Sequence, residues 1–155
     1  MGLEIERKFL VNHAKWGEAD KPQREFYRQG YLLTDPNKTI RVRATDTKGF
    51  MTIKGKSEGA TRTEFEYEIP KEEAIELLDL FAVSDLTKYR YKVVFAEKLW
   101  EVDVFLGENE GLIVAEIELQ NEDEMFELPE WVEEEVTGEK KYYNSNLSTL
   151  PFRSW

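Results

Sequence analysis

The sequence predicts an α+β chain built on a closed or nearly closed antiparallel β-barrel of about eight strands, with peripheral helices. Three observations predict it. Segments with one polar and one apolar face recur at short spacing along most of the chain. Turn signals such as Asp35-Pro36-Asn37 separate them. One stretch, Lys71 to Phe81, instead places Ala74, Leu77, Leu78 and Phe81 at helical spacing behind Pro70, and reads as an amphipathic helix.

The first strand, Leu3 to Val11, sets the pattern: Glu4, Glu6 and Lys8 share one face, and Leu3, Ile5, Phe9 and Val11 the other. A polar connection follows from Asn12 to Pro22 and carries the lone histidine, His13, read as a surface or loop residue. Arg24 to Thr34 resumes strand character, and Gly30 within it signals a bulge or a close backbone approach. Thr39 to Thr45 alternates Arg41 and Arg43 against Ile40, Val42 and Ala44. Phe50 to Lys56 keeps Thr52, Lys54 and Lys56 in phase. Its end, Gly55-Lys56-Ser57, imitates a phosphate-binding loop, but Phe50 occupies the position of the required first glycine and a turn, not a helix, follows. Arg62 to Ile69 sets Arg62, Glu64, Glu66 and Glu68 against Phe65, Tyr67 and Ile69. Beyond the helix, Leu86 to Ala96 carries Lys88, Arg90 and Lys92, Lys98 to Leu106 carries Glu101 and Asp103, and Leu112 to Leu119 carries Glu116 and Glu118. Asn121 to Phe126 is expected to start a short helix and Glu139 to Leu150 to form a closing one. Trp100, Trp131 and Trp155 are expected to pack under loops.

Composition narrows the function. At 155 residues the chain is expected to be a single domain, 1–155, with a substantial core. No cysteine is present, so disulfides and thiolate metal sites are excluded and a reducing, cytoplasmic setting is expected. No apolar run is long enough for a membrane helix, and no signal peptide is expected. The net charge of −11 argues against a duplex nucleic-acid partner. The acidic run between Glu122 and Glu135 reads as a solvated face.

The polar strand faces carry the chemistry. One set is cationic: Lys8, Arg41, Arg43, Lys54, Lys88 and Arg90. The other is acidic: Glu4, Glu6, Glu64, Glu66, Asp103, Glu116 and Glu118. The plain alternative is an outward, solvated face laced with cross-strand ion pairs. Against it, arginine pairs and glutamate pairs at i,i+2 place like charges side by side, which a solvated face gains nothing from. A site for a polyanion and a metal needs that arrangement. Guanidinium forks suit phosphate, and paired carboxylates suit Mg²⁺ or Mn²⁺. Such an interior would be a wet tunnel, with the apolar faces turned outward under helices and loops.

Glu4-x-Glu6-x-Lys8 resembles the signature of the CYTH superfamily, the triphosphate tunnel metalloenzymes. Arg41-x-Arg43, Lys54 in Thr-Ile-Lys-Gly, Glu64-x-Glu66, Lys88-x-Arg90, Asp103 in Val-Asp-Val-Phe and Glu116-x-Glu118 match family strands in order, and the segment from Glu135 to Tyr142 resembles the small bacterial tripolyphosphatases. The resemblance implies an eight-stranded tunnel that hydrolyses or cyclises triphosphates with a divalent metal. It implies phosphate binding by Lys8, Arg41, Arg43, Lys54, Lys88 and Arg90, metal binding by Glu4, Glu6, Asp103, Glu116 and Glu118, and further tunnel acids in Glu64 and Glu66. Catalytic roles are implied for Lys8, Tyr31, Lys54 and Lys88, with Tyr31 and Lys54 helping to activate water. Glu139 stands where the family has aspartate.

The expected reaction is metal-dependent hydrolysis of inorganic tripolyphosphate to pyrophosphate and phosphate, with a lysine crowded by cations lowered in pKa. A class IV adenylyl cyclase, a thiamine or nucleoside triphosphatase and a non-catalytic polyphosphate-binding module are the rivals. The expected partner is a small-molecule triphosphate, with no nucleic acid and no membrane; a homodimer stays open.

Overall fold

The computed structural model describes residues 2–155. Nine strands lie among them: β1 (Leu3–Val11), β2 (Glu25–Asp35), β3 (Lys38–Ala44), β4 (Gly49–Gly55), β5 (Thr61–Ile69), β6 (Ser84–Phe95), β7 (Lys98–Phe105), β8 (Ile113–Glu118) and β9 (Val132–Glu135). The helices are α1 (His13–Glu18), α2 (Lys71–Phe81) and the single turn α3 (Asn144–Leu147). The strands neighbour one another in the order β5-β4-β3-β2-β6-β7-β8-β1, and β1 pairs back onto β5 to close an eight-stranded antiparallel barrel. Closure is brief: Leu3 to Ile5 pair with β5, after which the same edge of β1 is taken by β9 at Phe9 and Val11.

Strand alternation sends the charged faces inward and the apolar faces outward, as the like-charge pairs predict. Outside, Phe9 and Val11 of β1, Trp100 and Val102 of β7, and Ala115 and Ile117 of β8 pack under Trp16 of α1 and Trp131. On the far side, Val42 and Ala44 of β3 pack under Ala74 and Leu78 of α2. Glu72 and Glu73 sit in the first turn of α2, where carboxylates favour the positive end of the helix dipole. Glycine lets this helix approach. A Cβ on Gly49 would meet the Ala74 Cβ at 2.7 Å, and one on Gly30 would meet Leu78 Cδ2 at 2.7 Å. The β2–β3 register also shifts just after Gly30, between Tyr31 and Leu33. Each large side chain buried in these outer layers contributes about 1.5–3 kcal/mol, so the covers stabilise the barrel and the lumen is left free for charge.

One end of the lumen departs from the expected wet tunnel. Leu10, Leu86, Phe105 and Val114 continue the inward phase of Lys8, Lys88, Asp103 and Glu116 and pack with Val136, Tyr142 and Leu147. The C-terminal segment therefore plugs the barrel with an apolar floor. Serving that floor splits the expected closing helix. Lys140–Tyr142 forms a 3₁₀ turn, Tyr143 is extended, and α3 follows, which directs both Tyr142 and Leu147 into the barrel. Asn121 to Phe126 is not helical either. The Asn121 side chain accepts from the Asp123 N–H at 3.0 Å, a local turn that competes with helix formation.

Two elements lie where none is expected. Asn12 caps α1 by accepting from the Lys15 N–H at 2.9 Å, and the helix exists to bury Trp16. β9 is four residues of mixed character beside β1. His13 is exposed at the start of α1, and most of the acidic run from Glu122 to Glu135 is exposed. Trp100 and Trp131 are buried, whereas Trp155 is 48% exposed. The outer face of β5 lacks a cover, leaving Phe65 and Tyr67 exposed. Among the described residues no helix is long and apolar enough to cross a membrane.

Candidate active site

The lumen encloses a cavity of about 250 Å³. Glu4, Glu6, Lys8, Tyr31, Arg41, Arg43, Lys54, Glu64, Glu66, Lys88, Arg90, Glu116 and Glu118 all line it, which is every residue singled out in the sequence except Asp103. Topology sorts them into walls. β8, β1 and β5 are contiguous and bring the glutamates, while β4, β3, β2 and β6 are contiguous and bring Lys54, Arg41, Arg43, Lys88 and Arg90. Cross-strand register sets Glu6 opposite Glu118, Lys8 opposite Glu116, and Arg90 opposite Asp103.

The acidic wall is frustrated. Glu6 and Glu116 share a hydrogen bond, as do Glu4 and Glu64. Burial raises the Glu6 carboxyl well above its usual range, and the charges of Glu116 and Glu4 add to this. Burial also pushes Glu116 up, but Lys8, 3.9 Å away, and the bond from Glu6 outweigh it and hold Glu116 near 2. Glu4 and Glu64 divide in the same way: burial and Glu64 raise Glu4 against the pull of Lys54, while Lys54 lowers Glu64 against burial. Lys54 Nζ lies 3.3 Å from Glu4 and 3.2 Å from Glu64. In each pair one carboxyl is pushed up and its neighbour held down, because two carboxylates so close repel.

On the cationic wall, charges are held by unlike partners. Arg90 grips Asp103 with two hydrogen bonds, Nε to Oδ1 at 2.8 Å and Nη2 to Oδ2 at 2.9 Å, and Lys88 Nζ donates to Oδ2 at 2.6 Å. Burial alone would raise the Asp103 carboxyl, but these two cations hold it well below the usual carboxylate range. Lys88 is itself lowered to about 7, first by burial and then by Arg90 and Arg43, against the opposing pull of Asp103. Arg43 differs. Among the described residues no carboxylate pairs with it; its Nε and Nη2 donate to Gln29 Oε1 at 3.2 and 3.1 Å, and its guanidinium lies 4.7 Å over Tyr27. Burial, Arg41 and Arg90 lower it to about 10. Arg41 donates to Thr52 at 3.1 Å and reaches Glu66 at 3.5 Å, but its Nε is buried without a partner. An uncompensated buried guanidinium and an unpartnered donor beside it mark a place for an anion.

The structure adds residues that the strand pattern did not single out. Arg62 lines the cavity near the β1–β5 seam, donating to Gly55 O at 2.7 Å and Thr39 Oγ1 at 2.9 Å. Its phase with Glu64 and Glu66 was a usable signal. Tyr143 and Asn144 enter from the C-terminal segment, and no periodicity could have announced them.

Asp103 sits below the cavity with 0% exposure, both oxygens taken by Lys88 and Arg90. The expectation that it holds metal does not fit that geometry, because no free oxygen faces the lumen. Among the described residues no three acids converge into a ready-made metal cluster. The paired carboxyls nonetheless fit a hard cation. Mg²⁺-type ions are usually held by one or two carboxylates, with phosphate oxygens and water completing the shell, and the mutual repulsion of the neighbouring carboxyls marks where positive charge is wanted.

Fold and site define a class: a closed β-barrel whose lumen is built for a small polyanion accompanied by cations. The chain belongs to the CYTH family, whose domain profile matches residues 2–151. It is 48% identical over 158 residues to a protein of Acetivibrio thermocellus named inorganic triphosphatase, covering 100% of this chain and 99% of that one. It is 36% identical over 149 residues to an inorganic triphosphatase of Nitrosomonas europaea, covering 94% and 96%. The crystal structure of the inorganic triphosphatase NE1496 superposes with a TM-score of 0.65 at 34% identity, over 94% of this chain and 93% of that one. A putative adenylyl cyclase from Hippeastrum, at 14% identity and a TM-score of 0.58 over 78% and 80%, shares the fold.

Proposed function

We propose that the chain is a divalent-metal-dependent triphosphatase that cleaves inorganic tripolyphosphate to pyrophosphate and phosphate, with residues 1–155 acting as one domain. The observation that carries this is the pair of opposed walls, with Arg43 buried and, among the described residues, paired with no carboxylate. Full-length relatives named inorganic triphosphatase support it. The inorganic substrate is favoured over a nucleotide by the lining: Tyr31 and Tyr143 are its only aromatic side chains among the described residues, and both lie within hydrogen-bonding or cationic surroundings, not an apolar base slot.

Arg43, Arg41 and Lys88 bind the phosphate chain, and Lys8, Arg62 and Arg90 complete the cationic lining. Glu4, Glu6, Glu116 and Glu118 would hold the metal, which would supply positive charge to the phosphoryl oxygens; Mg²⁺ and Mn²⁺ both suit such oxygen ligands. Water attacks a terminal phosphorus, the new P–O bond forms as the bridging P–O bond breaks, and pyrophosphate leaves. Glu64 lines the cavity 3.2 Å from Lys54, which favours its ionised form, and this carboxylate receives the water proton. Asp103 positions Lys88 and Arg90. Positioning and charge neutralisation carry phosphoryl transfer, so no covalent nucleophile is required.

The test is phosphate release from tripolyphosphate, ATP and thiamine triphosphate with Mg²⁺, with Mn²⁺ and with EDTA. Release is expected from tripolyphosphate with metal and not with EDTA. Equal release from ATP overturns the substrate, and binding without release overturns the reaction.

A further inference from the structure

Gln29 is wholly buried in the wall of a charged tunnel, yet it is neutral. Its orientation is fixed by its partners. Arg43 has only donors, so Oε1 must face it, accepting from Nε at 3.2 Å and Nη2 at 3.1 Å. Nε2 then donates to Asn144 Oδ1 at 3.1 Å and to the Tyr31 hydroxyl at 3.3 Å. The Asn144 oxygen is fixed in the same way, because it also accepts from Lys88 Nζ at 2.9 Å. Arg43, Gln29, Asn144 and Lys88 thus form one hydrogen-bonded chain that runs from β3 through β2 and the C-terminal segment to β6.

The contrast with Arg90 shows what this chain does. Arg90 is held by a carboxylate, which orients the guanidinium and cancels its charge. A carboxylate in the place of Gln29 would do the same to Arg43. An amide orients the fork and leaves the charge for a ligand. Asn144 extends the arrangement to Lys88, giving that ammonium a second acceptor without a second negative charge.

We propose that Gln29 and Asn144 are positioning residues for the triphosphate: a neutral amide relay that sets Arg43 and Lys88 at a fixed spacing while keeping the positive charge of Arg43 unspent. This rests on the triphosphatase reading above. It also assigns a function to the C-terminal segment, because Asn144 reaches the site only if Tyr142 and Leu147 seat it in the barrel floor.

The test combines steady-state kinetics on tripolyphosphate with tripolyphosphate binding by calorimetry in EDTA. Gln29→Met keeps the bulk and removes the relay; KM and Kd should rise about ten- to hundredfold, the range of a lost charge-assisted hydrogen bond, with kcat falling less. Gln29→Glu keeps an acceptor for Arg43 but neutralises it. It should stay folded, because the new ion pair with Arg43 offsets the donor lost to Asn144 Oδ1, and still show the raised KM and Kd, a combination that a purely structural role would not produce. Gln29→Met and Asn144→Ala together should raise Kd by much less than the product of the single effects, because both break one chain. Single-variant KM and Kd values within twofold of wild type overturn the relay, as do multiplicative effects in the double variant. Kd stands apart from turnover: wild-type protein that binds tripolyphosphate without cleaving it overturns the hydrolase reading, while a raised Kd in Gln29→Met still supports the relay.

Discussion

Replacing Asp103 by asparagine separates two roles that a tunnel carboxylate can have. The side chain is fully buried and carries three short hydrogen bonds, two from Arg90 and one from Lys88. Asparagine keeps the shape and removes the charge, leaving Lys88 without its carboxylate and Arg90 with only the half-buried Glu101 at 3.3 Å. Removing one partner of a buried pair destabilises by about 3–5 kcal/mol. For a chain of this size about 1 kcal/mol corresponds to about 2–4 °C in Tm, so a fall on the order of 10 °C is expected in thermal melts. Tripolyphosphate in EDTA should restore part of it, since the anion then supplies the missing countercharge without any metal. The dependence of turnover on Mg²⁺ concentration should keep its midpoint, because Asp103 presents no oxygen to the lumen. A melting temperature within about 2 °C of wild type, together with a weakened Mg²⁺ midpoint, would refute this and return Asp103 to the metal ligands.

Glu6→Gln should raise Tm at pH 8 in EDTA by about 2–4 °C, equivalent to about 1 kcal/mol. Burial beside Glu116 and Glu4 raises the folded-state pKa of Glu6, so its favourable contribution is complete below the unfolded value of about 4.3 and is lost as pH rises through the folded value. The gain from Glu6→Gln should therefore shrink toward pH 4 in melts across a pH series, and a constant gain refutes the linkage. Arg43→Met should raise KM for tripolyphosphate about ten- to hundredfold with only a small change in Tm, because relief of a buried charge that no carboxylate pairs with among the described residues offsets the donors lost to Gln29 Oε1; a large loss of stability with unchanged KM contradicts this. Ala96 and Glu97 both adopt positive φ, 49° and 67°, in the β6–β7 turn. Asn-Gly fits that turn, so Ala96→Asn with Glu97→Gly should raise Tm by a few degrees, on the order of 1 kcal/mol, with kcat unchanged.

Much of the barrel was legible because its sequence pattern is inverted yet regular. Alternation located about eight strands, and like-charge pairs such as Arg41 with Arg43 and Glu116 with Glu118, together with the family resemblance, argued for the charged face turning inward. What escaped was set by tertiary partners. α1 is short and forms around one buried tryptophan and an asparagine cap. β9 exists because β1 has an edge left over once its pairing with β5 ends. The C-terminal segment breaks its helix to place Tyr142 and Leu147 in the floor. That floor had a signal, since Leu10, Leu86, Phe105 and Val114 share phase with the charged residues before or after them. A strand whose inward face changes from charged to apolar marks the depth at which a tunnel closes. Asp103 shows the same limit: phase gives the face a residue occupies, not its depth, and at depth its neighbours are Lys88 and Arg90.

The distribution of charge follows from which groups can be neutralised locally. Wherever an opposed pair suffices, the fold makes one: Asp103 with Lys88 and Arg90, Lys54 with Glu4 and Glu64, Lys8 near Glu116. What is left over is unlike on the two walls. The acidic wall retains Glu4 and Glu6, whose carboxyls burial and like charge push upward, and the cationic wall retains Arg43 and the unpartnered Nε of Arg41. Neither remainder can cancel the other, because they lie on separate strand sets of a closed barrel. A polyanion alone would satisfy the arginines and aggravate the carboxyls, and a cation alone would do the reverse. Only an anion that carries its own cation relieves both. The folded state is thus predisposed to a metal–polyphosphate complex by the two imbalances its own strand order keeps apart, and that complex stabilises the fold to the extent that it removes them.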